Sequence, residues 1–384
     1  MRIGYSFWGF LADYKEDQTG KELSTPDGNA AYSWSVIWEA QRKGHEVFLM
    51  QEDRDWPAFS RRGVNNFASF SQTKRLSSYL TLNYTITPDI PGRHSKKLPL
   101  PDLDVLLVEW RWPIPGRNFD VDKDSLDYQP DYDRQRELIE HYRSTHTKIV
   151  IWDLDHKLTA NEEIWTGASA IFETSVTPLK LFQERVRVEP PIPVSDLLQH
   201  TPKALNASRK LVYVGSRYER DDVIEEWIRP VSNRFKGEVH FYGNWDKPET
   251  LKQCRKMWPD IEYHGRISMK DFYSVYGDAV ACPLLAKKSY LEVGFITPRI
   301  WEALIFGTIP VGLQTHHGID QYLPSTLIAR DSKDLGDIVE WLSRETASSR
   351  QNIRESIAKQ IHFMDSKYFI EKLESAVQGT ENVQ

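Results

Sequence analysis

Arg299 and Glu302 stand three residues apart in the stretch Gly294-Phe-Ile-Thr-Pro-Arg-Ile-Trp-Glu-Ala-Leu-Ile-Phe-Gly-Thr-Ile-Pro-Val-Gly312. Thr297-Pro298 reads as a helix start, Gly307 as its stop, and Ile309 to Gly312 as a buried strand. The spacing puts both charged side chains on one helical face, near an electropositive N-terminus. An arginine grips phosphate oxygens bidentately, and a carboxylate one turn later accepts both hydroxyls of a ribose. The pair therefore suits a nucleotide carrying a sugar. On spacing alone, a surface salt bridge on a structural helix is the competing expectation.

Glycine turns elsewhere point the same way. Val214 is followed by Gly215-Ser216-Arg217-Tyr218-Glu219-Arg220, Tyr242 by Gly243-Asn244, and His264 by Gly265-Arg266-Ile267. Glycine lets backbone approach a ligand closely, and exposed N–H groups favour phosphate oxygens. Arg217 and Arg220 add charge, and the backbone beside Ile267 is placed to read a planar base. Glycine is common in such turns, so each alone is weak. No Gly-x-Gly-x-x-Gly follows the first strand and no Walker lysine loop is present, so a nucleotide here is expected as a substrate and not as a redox cofactor. A sugar nucleotide leads.

The elements that must position these residues alternate strand and helix. The expected strands of the first half are Arg2 to Ser6, Val47 to Met50, Val105 to Val108, Lys148 to Trp152 and Ala170 to Phe172. Helices are expected from Ala31 to Lys43 and from Gln135 to Thr145. The proline-rich stretch from 188 to 209 reads as a linker. Beyond it, strands are expected at Leu211 to Val214, Val239 to Tyr242, Ile261 to Tyr263, Val280 to Leu284 and Ile309 to Val311, with a helical tail from Asp331. The result is an α/β chain of two Rossmann-like domains facing a central cleft. One spans 1–187 and the other 210–360, and 361–384 is a C-terminal helix and tail placed to pack back on the first domain.

At 384 residues the chain exceeds the usual size of one core, so two domains are the default. A hydrophobic content of 40% with 27% charged residues and no long apolar run describes a soluble protein with no membrane span. The N-terminus reads as a strand and not as a signal peptide, which predicts cytoplasmic residence, and a monomer is expected. Two cysteines are too few for a disulfide framework, and no metal-ligand set is evident.

The net charge of −6 is unevenly spread. Between Trp56 and Leu100 stand seven basic residues (Arg61, Arg62, Lys74, Arg75, Arg93, Lys96 and Lys97) against the single acid Asp89, with Trp56, Phe59, Phe67, Phe70, Tyr79 and Tyr84 interleaved. Cations that track a backbone, with aromatic faces that receive bases, are the composition of a polynucleotide groove. A solvated insertion is the alternative.

Four blocks in order, Val212 to Arg217, Phe241 to Asn244, His264 to Ile267 and Gly294 to Glu302, give the chain a resemblance to the phage DNA glucosyltransferases of the GT-B fold, the β-glucosyltransferase type above all. The resemblance covers roughly Leu211 to Leu313 and is weaker before it. It implies a pocket for UDP-glucose or a related UDP-sugar, with Glu302 on the ribose and Arg299 on the diphosphate. Gly215 and Ser216 lie along the phosphates in that pocket, Ile267 lies beside the uracil, and Tyr290 and Phe295 line it. Arg217 and Arg220 do not align cleanly with the family's arginines. The family also allows Mg²⁺ to aid activity or product release, with donor binding not requiring it.

Lys148-Ile-Val-Ile-Trp-Asp-Leu-Asp155 is similar to the family's strand that ends in the catalytic base, and length from the lysine puts Asp155 in that place. Asp153 is the alternative, since alternation at a strand end turns either carboxylate outward. Glu109 to Asn118 stands where the family has a glycine-containing acceptor loop, and its Trp110, Arg111, Trp112 and Arg117 either stack beside an extruded base or pack in the core. The implied activity is inverting transfer of a sugar, with glucose leading, to the hydroxymethyl group of a 5-hydroxymethylpyrimidine in double-stranded DNA. A glycan, lipid-linked or small-molecule acceptor is the first rival. A non-catalytic DNA- or glycan-binding protein on the same scaffold is the second.

Overall fold

The computed structural model describes residues 1–6, 30–50, 100–110, 134–154, 156, 158, 167–177, 185–192, 194, 209–267 and 271–379. The basic segment 56–100 lies outside these apart from Leu100. So do Asp155, Arg61, Arg62, Lys74, Arg75, Arg111, Trp112 and Arg117. Contacts divide the chain into two compact units. One contains Met1–Lys21, Asn29–Pro191 and Ser366–Gln384; the other contains Ile192–Asp365.

The first unit is built on β1 (Arg2–Ser6), β2 (Glu46–Leu49), β3 (Val105–Trp110), β4 (Lys148–Asp153), β5 (Ala170–Glu173) and the two-residue β6 (Val186–Arg187). They form one sheet in the order β2-β1-β3-β4-β5-β6, and every pairing is parallel. A parallel sheet is covered on both faces, which is why β3 (Val-Leu-Leu-Val-Glu-Trp) is buried along its whole length. Its one acid, Glu109, accepts a hydrogen bond from the Tyr5 hydroxyl, so the buried carboxylate is satisfied. The C-terminal helix Ser366–Gln378 belongs to this unit. Its Phe369 packs 4.7 Å from Trp152 and 5.5 Å from Phe172, and its Glu374 takes Lys43 and His45 at 3.1 and 2.8 Å.

The second unit carries β7 (Arg209–Val214), β8 (Val239–Tyr242), β9 (Glu262–His264), β10 (Ala279–Pro283), β11 (Ile309–Leu313) and the short β12 (Ile328–Ala329). Its sheet runs β12-β11-β10-β7-β8-β9, again all parallel. The chain starts at β7 in the middle, moves outward through β8 and β9, then returns to β10 on the other side. The crevice beyond the carboxyl ends of β7 and β10 is therefore the topological switch point, where ligands of open α/β sheets bind. The helical tail resolves into Ser332–Arg344, Ala347–Gln360 and Ser366–Gln378, broken by short turns. Cys282 sits inside β10, and burial pushes its thiol up to about 12, so it behaves as a small hydrophobe.

Candidate functional site

The three glycine turns interlock at the carboxyl ends of β7, β8 and β9. Gly215 N–H donates to Tyr242 O at 2.9 Å and Gly243 N–H to Gly265 O at 3.2 Å, while the indole of Trp245 donates to Gly215 O at 2.7 Å. Gly243 has φ +145°, and a Cβ there would fall on the carbonyl oxygen of Gly215, which as backbone has no room to give. The tight turns thus follow from the absence of side chains. Asn244 beside them is half-buried, as is Ile267, while Arg266 is exposed.

Arg299 opens the helix Arg299–Phe306, with Pro298 capping it and Gly307 ending it at φ +101°. Its guanidinium reaches back across the switch point. Nε donates to Val214 O at the end of β7 at 2.7 Å; Nη1 donates to Leu285 O just past β10 at 3.3 Å and to the Thr297 hydroxyl at 3.2 Å. The ring of Tyr213 lies 4.8 Å from the guanidinium carbon. These partners, all in the interior of the site, replace the surface salt bridge that spacing alone allowed. Glu302 is buried one turn on and accepts a hydrogen bond from the Tyr276 hydroxyl at 3.2 Å. Burial, followed by the charge of Glu302, raises the Tyr276 pKa well above its ordinary value, so this phenol remains a donor.

Arg220 joins them. The residue is 8% exposed, and its guanidinium donates to Tyr218 O at 2.7 Å and has a buried Nε with no hydrogen-bond partner among the described residues. Burial first, and the neighbouring charge of Arg299 after it, lower its pKa below the ordinary guanidinium value. The half-buried Arg299 and the buried Arg220 thus bring two positive charges to the strand ends beside the glycine turns, an arrangement suited to an anion. Arg217 takes no part in it. Asp221 holds its Nε at 2.8 Å, Gln253 its Nη1 at 2.8 Å, and its guanidinium lies over Trp258.

One cation was not anticipated from the sequence. Lys287 is 7% exposed, and its ammonium lies 4.3 Å from the ring centre of Tyr290, 5.8 Å from that of Tyr218 and 3.5 Å from Glu219. Tyr290 in turn packs on Phe295 at 4.5 Å. The signal was available, since Lys287 closely follows β10 and strand ends at a switch point deserve the same scrutiny whether they carry glycine or lysine.

In the first unit, Asp153 ends β4 fully buried. Arg185 Nη1 donates to it at 2.9 Å and also to Glu173, and the Leu158 N–H donates to its other oxygen at 3.2 Å. Asp153 is thereby committed to a buried ion network, which weighs against the alternative that it is a base open to an acceptor. Trp110 is 1% exposed inside the core cluster with Leu106, Val108 and Ile151, so of the two roles open to it the structure gives packing and not base stacking.

No protein-family model matches the chain, and no curated protein matches its sequence. Solved structures do. An α-glucosyltransferase in complex with UDP-glucose and DNA containing an abasic site aligns over 98% of this chain and 99% of its own, with TM-score 0.60 and 13% identity. T4 phage BGT in complex with its UDP-glucose substrate aligns over the same shares, with TM-score 0.58 and 13% identity. The same phage enzyme in complex with UDP and Mn²⁺ has TM-score 0.58 at 14% identity, covering 98% and 99%. The fold is theirs. It is the GT-B fold, matched here almost from end to end at only 13–14% identity.

Proposed function

We propose that the chain is a glycosyltransferase that moves a sugar, glucose first, from a UDP-sugar to the hydroxymethyl group of a 5-hydroxymethylpyrimidine in duplex DNA, with inversion. The observation that carries this reading is Arg299 bridging the ends of β7 and β10 beside Arg220 and the glycine turns. A diphosphate fits between those cations and the close backbone approach that Gly215 and Ser216 allow. Glu302 takes the ribose, Ile267 borders the uracil, and Tyr290 and Phe295 wall the sugar end.

For the chemistry, Asp155 removes the proton from the acceptor hydroxyl as its oxygen attacks the anomeric carbon from the face opposite the diphosphate. The bond from that carbon to the phosphate oxygen breaks, and UDP leaves with the electron pair. The DNA acceptor is supported by the basic, aromatic segment 56–100 and by the DNA bound to the α-glucosyltransferase of the same fold. Phosphate tracking by Arg61, Arg62, Lys74 and Arg75, with Arg111, Trp112 and Arg117 beside the extruded base, completes the proposal.

Incubation with radiolabelled UDP-glucose and either hydroxymethylated or unmodified duplex DNA, followed by mass spectrometry of the digested nucleosides, tests it. Label is expected in the hydroxymethylated DNA only. Donor hydrolysis without DNA labelling, or labelling of a glycan acceptor in its place, would overturn the acceptor half and leave the donor half standing.

A further inference from the structure

Beside the switch point, the second unit has a groove of about 590 Å³ where Gln314 and Arg330 leave the carboxyl ends of β11 and β12. Its walls come from residues 314–330 and from the first turns of the helix Ser332–Arg344. In the sheet β12 is two strands from β10, so the groove lies about 10 Å to the side of the switch point. It shares no residue with the proposed donor site.

One side chain of the groove lacks what a buried polar group needs. His316 is 2% exposed, and neither of its ring nitrogens has a hydrogen-bond partner among the described residues. The backbone of Phe295 lies near the ring without completing a bond to it, and it could serve one nitrogen at most. At least one nitrogen is therefore left for a group that enters the groove. Burial pushes the His316 pKa down to about 4, so at neutral pH the ring offers one N–H donor, one acceptor and no charge.

The other lining groups narrow the ligand. Arg330 clasps Asp334 through Nε at 2.9 Å and Nη2 at 3.3 Å, so these two charges offset one another. Asp320 pairs with no cation among the described residues, and its carboxylate disfavours phosphates and other anions. Ile319, Ile328 and Ile338 supply an apolar wall, while no Phe, Tyr or Trp lines the groove to stack on a base. What remains is a neutral ligand with hydroxyls on its rim and C–H groups on its face. We propose that the groove binds a hexose ring. His316 and the Gln314 amide exchange hydrogen bonds with its hydroxyls, each of which is donor and acceptor at once. Asp320 accepts from a vicinal pair of hydroxyls in charge-assisted bonds, and the isoleucines cover the C–H face. This site stands whatever the switch point holds.

The test is saturation-transfer NMR on the full-length chain with methyl β-D-glucopyranoside, read at the methyl resonance with UDP-glucose in excess to fill the donor site. Thymidine and glycerol 3-phosphate are the comparison probes for a base and for an anion. Transfer to the glycoside is expected, with the roughly millimolar affinity of so small a ligand. Asp320→Ala, on the surface, should weaken it by about tenfold or more, and His316→Phe, which keeps a ring but removes both nitrogens, should abolish it. Both variants are checked for folding by circular dichroism, and Asp320→Ala keeps the test decisive if His316→Phe does not fold. The UDP-glucose affinity of Asp320→Ala, measured by calorimetry, should equal that of the unaltered chain. No transfer to the glycoside overturns the proposal, as does transfer that Asp320→Ala leaves unchanged. A thymidine or glycerol 3-phosphate signal that Asp320→Ala removes, in place of the glycoside's, also overturns it. Glycoside binding that responds to the variants in a chain that binds no UDP-glucose removes the donor reading and leaves the hexose site standing.

Discussion

The space left by the missing side chain of Gly215 is occupied by the guanidinium of Arg299. A Cβ at position 215 would stand 2.5 Å from Arg299 Nη2 and 2.6 Å from the Tyr213 hydroxyl. Arg299 is anchored to the backbone of Val214 and Leu285, so it cannot yield without releasing the ends of two strands. Gly215→Ala is therefore expected to displace the guanidinium while the sheet stays folded. Calorimetric titration should show UDP-glucose affinity lower by roughly tenfold or more, about 1.4 kcal/mol, with the circular dichroism spectrum unchanged. Unaltered affinity would mean that this edge of Arg299 does not face the nucleotide.

Glu302 offers a sharper test of which part of the nucleotide lies where. Glu302→Gln keeps the shape and the contact with Tyr276 but removes the charge proposed to accept the ribose hydroxyls. UDP-glucose affinity should fall about 10- to 100-fold, the range of hydrogen bonds to charged groups. Discrimination against the 2′-deoxyribose donor should shrink with it. A variant that loses affinity for both donors equally would place the ribose elsewhere.

The carboxylate that ends β4, Asp153, and Asp155 two residues on should separate cleanly. Asp155→Asn is expected to lower the transfer rate by about 10²- to 10⁴-fold with donor affinity unchanged, as for loss of a general base. Asp153→Asn acts on folding, because it weakens the partner of a guanidinium whose side chain is 1% exposed. Breaking a buried pair costs about 3–5 kcal/mol, read as a lower denaturant midpoint. The linkage of the product gives a further check, since inversion from the α-linked donor yields a β-glucoside by NMR.

Much of this was legible in the sequence, and what was missed has a physical reason. Hydrophobic runs bounded by glycine marked the long strands, because a doubly covered parallel strand is apolar throughout. The two-residue edge strands β6 and β12 carry no such run and can only be recognised from their pairing. That Arg299 and Glu302 share one helix was readable because spacing fixes direction there. Arg217 and Arg220 were not distinguishable, since a loop has no period and Asp221 and Gln253 decide which guanidinium turns outward. Asp153 and Trp110 carried chemistry-bearing side chains into the interior, where tertiary partners alone reveal them.

Histidines give the chain a pH dependence that composition does not show. Burial lowers the His316 pKa to about 4, and the half-buried His240 is likewise lowered to about 4, by burial and then by Arg209 and His264. The unfolded chain takes up these protons near pH 6.5 and the folded chain only near pH 4, so the folded state binds fewer protons in between. Stability is therefore fully present above about pH 6.5 and falls as the pH drops toward 4, by an amount on the order of 2–3 kcal/mol for the more buried His316. Urea midpoints measured across this window should fall with pH, and His316→Asn should flatten the slope. An equal slope in the variant would mean that other groups carry the effect.

The acceptor half of the proposal stands or falls on charge. Arg61, Arg62, Lys74 and Arg75 belong to a segment whose basic excess opposes the net charge of −6 of the whole chain. If they track phosphates, each contact releases counterions, and the logarithm of DNA affinity falls linearly with the logarithm of salt at a slope of about −0.9 per contact. Replacing all four with alanine is expected to reduce that slope by about 3–4 and to weaken duplexes with and without the hydroxymethyl group alike. UDP-glucose affinity should not change, because the donor residues belong to the other unit. Fluorescence anisotropy at several salt concentrations measures the slope, and a slope near zero in the unaltered chain would exclude a phosphate-tracking groove and favour a small or neutral acceptor.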